Sequence, residues 1–127
     1  MAKITIRVAV VDDDASIRRA LKRFLGAFAF SVETYESGRS FLESVSAFQP
    51  VCVVLDLHME GMNGLDVQRH LNRIGRQPPI IMITGHDNPA ARAESLTLGA
   101  GAFLTKPVDG PLLISTIEQL TAEIETA

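Results

Sequence analysis

Three carboxylates, a fourth carboxylate, a hydroxyl and an ammonium each stand where a short apolar run gives way to polar residues. Asp12, Asp13 and Asp14 follow the run Ile4–Val11, and Asp56 follows Val53-Val54-Leu55. Thr84-Gly85 closes Ile80–Thr84, and Lys106-Pro107 follows Ala102–Thr105. If these runs are strands of one sheet, at least three carboxylates, Thr84 and Lys106 converge on one edge. Carboxylates packed that closely repel one another, and one or more must take up a proton unless a cation sits among them. A hard divalent cation resolves the conflict. Mg2+ suits best, because it keeps several waters and binds through one or two carboxylates plus a phosphate oxygen, with Mn2+ as a substitute. Lys106 then supplies a compact positive charge for an incoming phosphoryl group, and Thr84 a hydroxyl donor. The chemistry that suits such a set is phosphoryl transfer onto a carboxylate oxygen, where positioning and charge neutralisation do most of the catalysis.

The elements that must position these residues are legible as an alternation. Ile4–Val11 is β-branched and nearly unbroken in apolar character, as a strand covered on both faces is. Asp14 caps a helix over Ala15–Phe28, where Ile17, Ala20, Leu21, Phe24 and Phe28 recur at helical spacing. Phe30–Tyr35 alternates like a half-exposed strand, and Ser37–Phe48 carries a weaker helical pattern. Pro50 opens the buried-type strand Val51–Leu55. Asn63 and Asp66 form a cap and its partner for a helix reaching about Ile74. Pro79 precedes the strand Ile80–Thr84, and Asn88-Pro89 and Gly99 bound a helix over Pro89–Leu98. Ala102–Thr105 is a short fifth strand. The last helix runs from about Pro111 to Ile124, with Leu113, Ile117, Leu120 and Ile124 on one stripe. Five strands, each followed by a helix, predict an α/β domain with a parallel sheet and helices on both faces. In such sheets ligands bind outside the carboxyl ends of the strands.

Composition narrows the classes. At 127 residues the chain fits one domain, and it is long enough to bury a real core. With 46% apolar and 21% charged residues it is not a disordered chain. Twelve Lys and Arg against 15 Asp and Glu leave a net charge of −3, which argues against a direct nucleic-acid binder and against an anionic-membrane binder. A single Cys, Cys52, excludes a disulfide framework and fits a reducing cytoplasm. No run approaches the ~20 apolar residues of a membrane span.

Five motifs now stand in order: Val10-Val11-Asp12-Asp13-Asp14, Val53-Val54-Leu55-Asp56-Leu57-His58-Met59, Met62-Asn63-Gly64, Ile83-Thr84-Gly85 and Leu104-Thr105-Lys106-Pro107. In them, and over essentially its whole length, the chain resembles the receiver domain of two-component response regulators. It is similar to chemotaxis receivers and, through Gly85-His86-Asp87 and the helix that follows, to receivers of the FixJ type. The resemblance implies a flavodoxin-like, doubly wound (βα)5 fold with strand order 2-1-3-4-5, one receiver domain over 1–127 with a folded core at 4–124. It implies that Asp56 is the phospho-acceptor, attacking a phosphohistidine of a sensor histidine kinase or histidine phosphotransfer protein. Asp12, Asp13, Asp56 and the backbone carbonyl of His58 would hold Mg2+. Lys106 would contact the phosphoryl oxygens, with a cis bond to Pro107. Thr84 would be the switch hydroxyl and Phe103 the switch aromatic that turns inward on activation, while the small Gly85 leaves the acyl phosphate accessible. Output would run through the fourth helix, fifth strand and fifth helix, to a downstream protein, a fused output domain or a phosphorylation-dependent dimer. Kinase recognition would fall on the first helix, around Ile17 and Leu21. Such a domain is a switch rather than a metabolic enzyme.

Plainer readings compete at each position. Asp12 and Asp13 are common loop residues before a helix, Asp56 and Thr84 suit strand ends for structural reasons, and an aromatic such as Phe103 often serves packing alone. A phosphatase of the haloacid dehalogenase type also forms an aspartyl phosphate, but it needs Asp-x-Asp after one strand, and here His58 follows Asp56 by two. A nucleotide-binding domain needs a Gly-rich phosphate loop after the first strand, and none is present. His70 is expected on a surface, whereas His58 and His86 are expected at the mouth of the site, where they would make the acyl phosphate's lifetime depend on pH near neutrality. Glu60 stands where the family usually has Pro, and is expected to point to solvent.

Overall fold

The computed structural model describes residues 6–76 and 78–125, so Ile4, and with it the first positions of the predicted core, lie outside the described residues. Ten elements alternate: β1 (Arg7–Val11), α1 (Ala15–Gly26), β2 (Ser31–Tyr35), α2 (Gly38–Phe48), β3 (Cys52–Asp56), α3 (Gly64–Arg73), β4 (Ile80–Thr84), α4 (Pro89–Thr97), β5 (Ala102–Thr105) and α5 (Gly110–Glu125). All pairs are parallel, and the strand order is β2-β1-β3-β4-β5. This is the expected doubly wound α/β sheet.

Strand alternation divides the core into two layers. Ala9, Val11, Val53, Leu55 and Met82 face Phe41, Val45, Val67 and Leu71 of α2 and α3. Val8, Val10, Val54, Ile81 and Ile83 face Leu21 and Leu25 of α1 and Leu113 and Ile117 of α5. With both faces covered, β1, β3 and β4 are apolar at nearly every position, as their sequences require. Each large side chain fully buried here contributes roughly 1.5–3 kcal/mol. Cys52 lies in the second layer, and burial pushes its thiol up to about 12. No described helix is long and apolar enough to cross a membrane.

Capping signals hold where they were read. Asp14 Oδ1 accepts the Ser16 N–H at 2.8 Å, and Asn63 and Asp66 form a reciprocal capping box. Asn88 accepts from the Ala91 N–H, with Pro89 in the first turn. Gly99, at φ +105°, follows α4. The first helix is shorter than its apolar stripe: it ends at Gly26, Ala29 adopts φ +69°, and Phe28 is 53% exposed, resting on Phe24 at 5.1 Å. Asp56 is itself the last residue of β3 rather than the first of a loop.

Candidate functional site

Register brings the site together. Val11 pairs with Leu55, so Asp12, just past the end of β1, is level with Asp56 at the end of β3; Thr84 pairs with Thr105, so Lys106 follows alongside. The Lys106 N–H bonds the Thr84 carbonyl at 2.7 Å, and the Lys106-Pro107 bond is cis. Lys106 Nζ lies 3.0 Å from Asp12 Oδ2 and 3.4 Å from Asp56 Oδ1. Carboxylate oxygens of Asp12, Asp13 and Asp56 all lie within 4.8 Å of one another, a group that could hold a metal ion. Asp12 and Asp56 are buried and Asp13 is exposed.

The loop after β1 is held on several sides. Asp12 Oδ1 accepts the Asp14 N–H at 2.9 Å, and the Asp12 carbonyl accepts from Arg18 Nη1 at 2.8 Å. Asp13 Oδ2 accepts the Glu60 N–H at a long 3.4 Å, a bond that proline at position 60 could not donate. The Glu60 side chain is exposed, as expected. The His58 N–H approaches Asp56 Oδ1 at 3.4 Å. The next helix starts with no slack: the Gly64 N–H bonds the Leu57 carbonyl at 3.0 Å, and a Cβ on Gly64 would sit 2.7 Å from the Asp56 carbonyl oxygen and 2.7 Å from Met82 Sδ. Residue type did not mark Arg18 or the Glu60 N–H. Gly64 was signalled by Asn63-Gly64, but not the reason for it.

Burial pushes the Asp56 carboxyl up to about 6, the charge of Asp12 adds to the rise, and Lys106 together with the His58 N–H pulls part of it back. Burial alone would lower the Lys106 ammonium; its bond to Asp12 and the charges of Asp56 and Asp12 outweigh that and hold it above its usual value. Among the described residues the fully buried Asp12 Oδ2 has the Lys106 ammonium as its one polar partner, 3.0 Å away.

Thr84 is buried, and its hydroxyl donates to the His86 carbonyl at 2.9 Å while accepting the His86 N–H at 3.3 Å. His58 and His86 are exposed, and His70 is half-buried rather than on an open surface. Phe103 is already turned inward, 8% exposed, with the Arg92 guanidinium 5.1 Å above its ring.

Residues 8–118 match the family model of the response regulator receiver domain. The chain belongs to the receiver-domain family of response regulators. It is 38% identical over 102 residues to the response regulator MprA of Mycolicibacterium vanbaalenii, covering 80% of this chain and 44% of that protein. It is 36% identical over 110 residues to the response regulator protein TodT of Pseudomonas putida, covering 87% and 48% respectively. This receiver thus spans less than half the length of these relatives. Among solved structures it is similar to the crystal structure of FixJ-N, with a TM-score of 0.87 and 29% identity, covering 94% of this chain and 96% of that one. Receivers of this family are signalling switches of two-component systems, phosphorylated by histidine kinases and acting on a downstream output.

Proposed function

We propose that this chain is one receiver domain over 1–127 that takes a phosphoryl group onto Asp56 from a phosphohistidine of a sensor histidine kinase or histidine phosphotransfer protein. The observation that carries this reading is the bridging of Asp12 and Asp56 by Lys106 within a three-carboxylate cluster at the strand ends. A cation fits the residues: three carboxylates meet within 4.8 Å, two of them buried, and the Lys106 ammonium is the one positive charge that reaches them among the described residues. Asp12, Asp13, Asp56 and the His58 carbonyl would hold Mg2+ or Mn2+, oxygen donors that suit a hard ion. When bound, the ion neutralises the carboxylates and the charge on the transferring phosphoryl oxygens.

The chain's own residues do the rest. An Asp56 carboxylate oxygen attacks phosphorus, the P–N bond to the donor imidazole breaks, and its electron pair stays with the ring nitrogen. Lys106 sits where it neutralises charge at both Asp56 and the incoming oxygens. The Thr84 hydroxyl exchanges its bond to the His86 carbonyl for one to the phosphoryl group, with Phe103 already inward before the exchange. The consequence is read at α4, β5 and α5, by a downstream protein, a fused output domain or a second receiver. An apolar groove of Ile17, Ala20, Leu21, Pro107 and Val108 adjoins Lys106, and we assign it to the phosphodonor. The domain works in the cytoplasm, without contacting nucleic acid or membrane itself.

Intact mass after incubation with Mg2+ and acetyl phosphate tests this reading, beside an Asp56→Ala control. A single alkali-labile phosphoryl adduct that needs Mg2+ and is absent from the control is the expected result. An adduct that persists in Asp56→Ala overturns the assignment of the acceptor.

A further inference from the structure

Helix α4 is thinly anchored to the sheet. Of its nine residues only Ala91 and Ser95 are buried, and Ser95 is polar. A helix with so few buried apolar contacts belongs to the low-stability end of a fold unless something else holds it. Beside Ala91 in the core and the Arg92 guanidinium over Phe103, a polar seam ties α4 to α3. Gln68 and Ser95, 2% and 0% exposed, satisfy each other: Ser95 Oγ donates to Gln68 Oε1 at 2.9 Å, and Gln68 Nε2 donates to the Ser95 carbonyl at 3.1 Å. One turn on, Asn72 Nδ2 donates to the Leu98 carbonyl at 3.0 Å. At the rim Arg69 is ion-paired to Glu94. The outer pair is exposed and contributes little, whereas the buried pair is costly to break because each group would be left unsatisfied.

The other end of α3 is fixed to the acceptor strand. Gly64 abuts the Asp56 carbonyl, and the Asn63–Asp66 capping box sets the helix start. Gln68 follows Gly64 by four residues, one turn along the same helix. We propose that α3 and α4 move as one body, joined by Gln68 and Ser95, so that a change at Asp56 reaches α4 through the start of α3 as well as through Thr84. The relay rests on the reading of Asp56 as phospho-acceptor. The seam itself does not.

Hydrogen exchange of the full chain tests both, in wild type, Ser95→Ala and the double variant Gln68→Met/Ser95→Ala. The double variant replaces both partners by apolar groups of similar shape, which keeps the fold close to wild-type stability. In the unmodified proteins, Ser95→Ala is expected to speed exchange over 89–98 by roughly tenfold or more relative to β1 and β3. Unchanged exchange in α4 overturns the seam. With the acetyl phosphate adduct quantified by mass in the same samples, wild-type α3 and α4 are expected to change together. In the double variant α3 still responds while the α4 response falls by half or more. A full α4 response in the double variant, at equal adduct, overturns the relay. Absence of adduct in wild type overturns the acceptor reading and the relay with it, and the unmodified proteins still decide the seam.

Discussion

The Asp56 carboxyl, pushed up to about 6 by burial and the neighbouring Asp12, keeps a proton in the folded chain that the unfolded chain has lost above its ordinary 3.8. Its contribution to stability is therefore full below about pH 4 and is lost as pH rises through about 6. Cation-free thermal melts are expected to show that fall, and Asp56→Asn to remove most of it. The variant should melt higher than wild type at pH 7 by on the order of 5 °C. A wild type whose melting point is flat across this window would refute the shift. Lys106 counts in a second way, since it is the only ammonium among the described residues that reaches both buried carboxylates. Lys106→Met is expected to slow adduct formation from acetyl phosphate by roughly 10²–10³-fold, followed by mass against time. Asp12, Asp56, Thr84 and Lys106 could be read from the sequence because each ends or directly follows a strand, and parallel register brings strand ends together. Arg18, which bonds the Asp12 carbonyl, could not: a guanidinium reaching a backbone oxygen six residues earlier leaves no trace in residue type.

At the scale of elements, the junction between β3 and α3 is the tightest near the site. Asn63→Ala removes the capping box and is expected to lower stability by about 1 kcal/mol in urea titration. Gly64→Ala drives a Cβ into the Asp56 carbonyl and Met82, and is expected to cost more, roughly 1–3 kcal/mol, and to depress adduct formation as well. Equal effects from the two would mean that the loop gives way. Helix starts were legible because caps act through neighbouring residues, as at Asn63–Asp66 and Asn88-Pro89. The end of α1 was not. Phe28 continues the apolar stripe, yet the chain has already turned away, with Ala29 left-handed beyond it. Nor was the seam between α3 and α4: Gln68 and Ser95 look like ordinary solvated helix residues, and only the approach of a second helix buries them.

For the whole molecule, a ligand that binds only the folded chain raises its stability by mass action. A hundredfold excess of Mg2+ over its dissociation constant is worth about 2.7 kcal/mol. Melting points are expected to rise with Mg2+ at pH 7.5 and much less at pH 5, where the Asp56 carboxyl is largely protonated. Asp13→Asn should blunt the rise; an equal rise in that variant would place the ion elsewhere. The two core layers carry a further division of labour. α1 and α5 pack one face of the sheet, and α2 and α3 pack the other, with Ala91 of α4 and Phe103 on the α2–α3 side. The overall class was legible because a fully covered parallel sheet needs nearly continuous apolar strands. The strand order came instead from resemblance, since apolar runs do not encode which strand lies beside which.

One buried residue makes this molecule convenient to instrument. The chain has a single cysteine, and Cys52 lies fully enclosed with its thiol held near 12, so it offers almost no thiolate to a labelling reagent. A cysteine introduced at the exposed Leu96 on α4 would thus be the one reactive thiol, and a dye or spin label placed there would report on that helix without first stripping the native sequence.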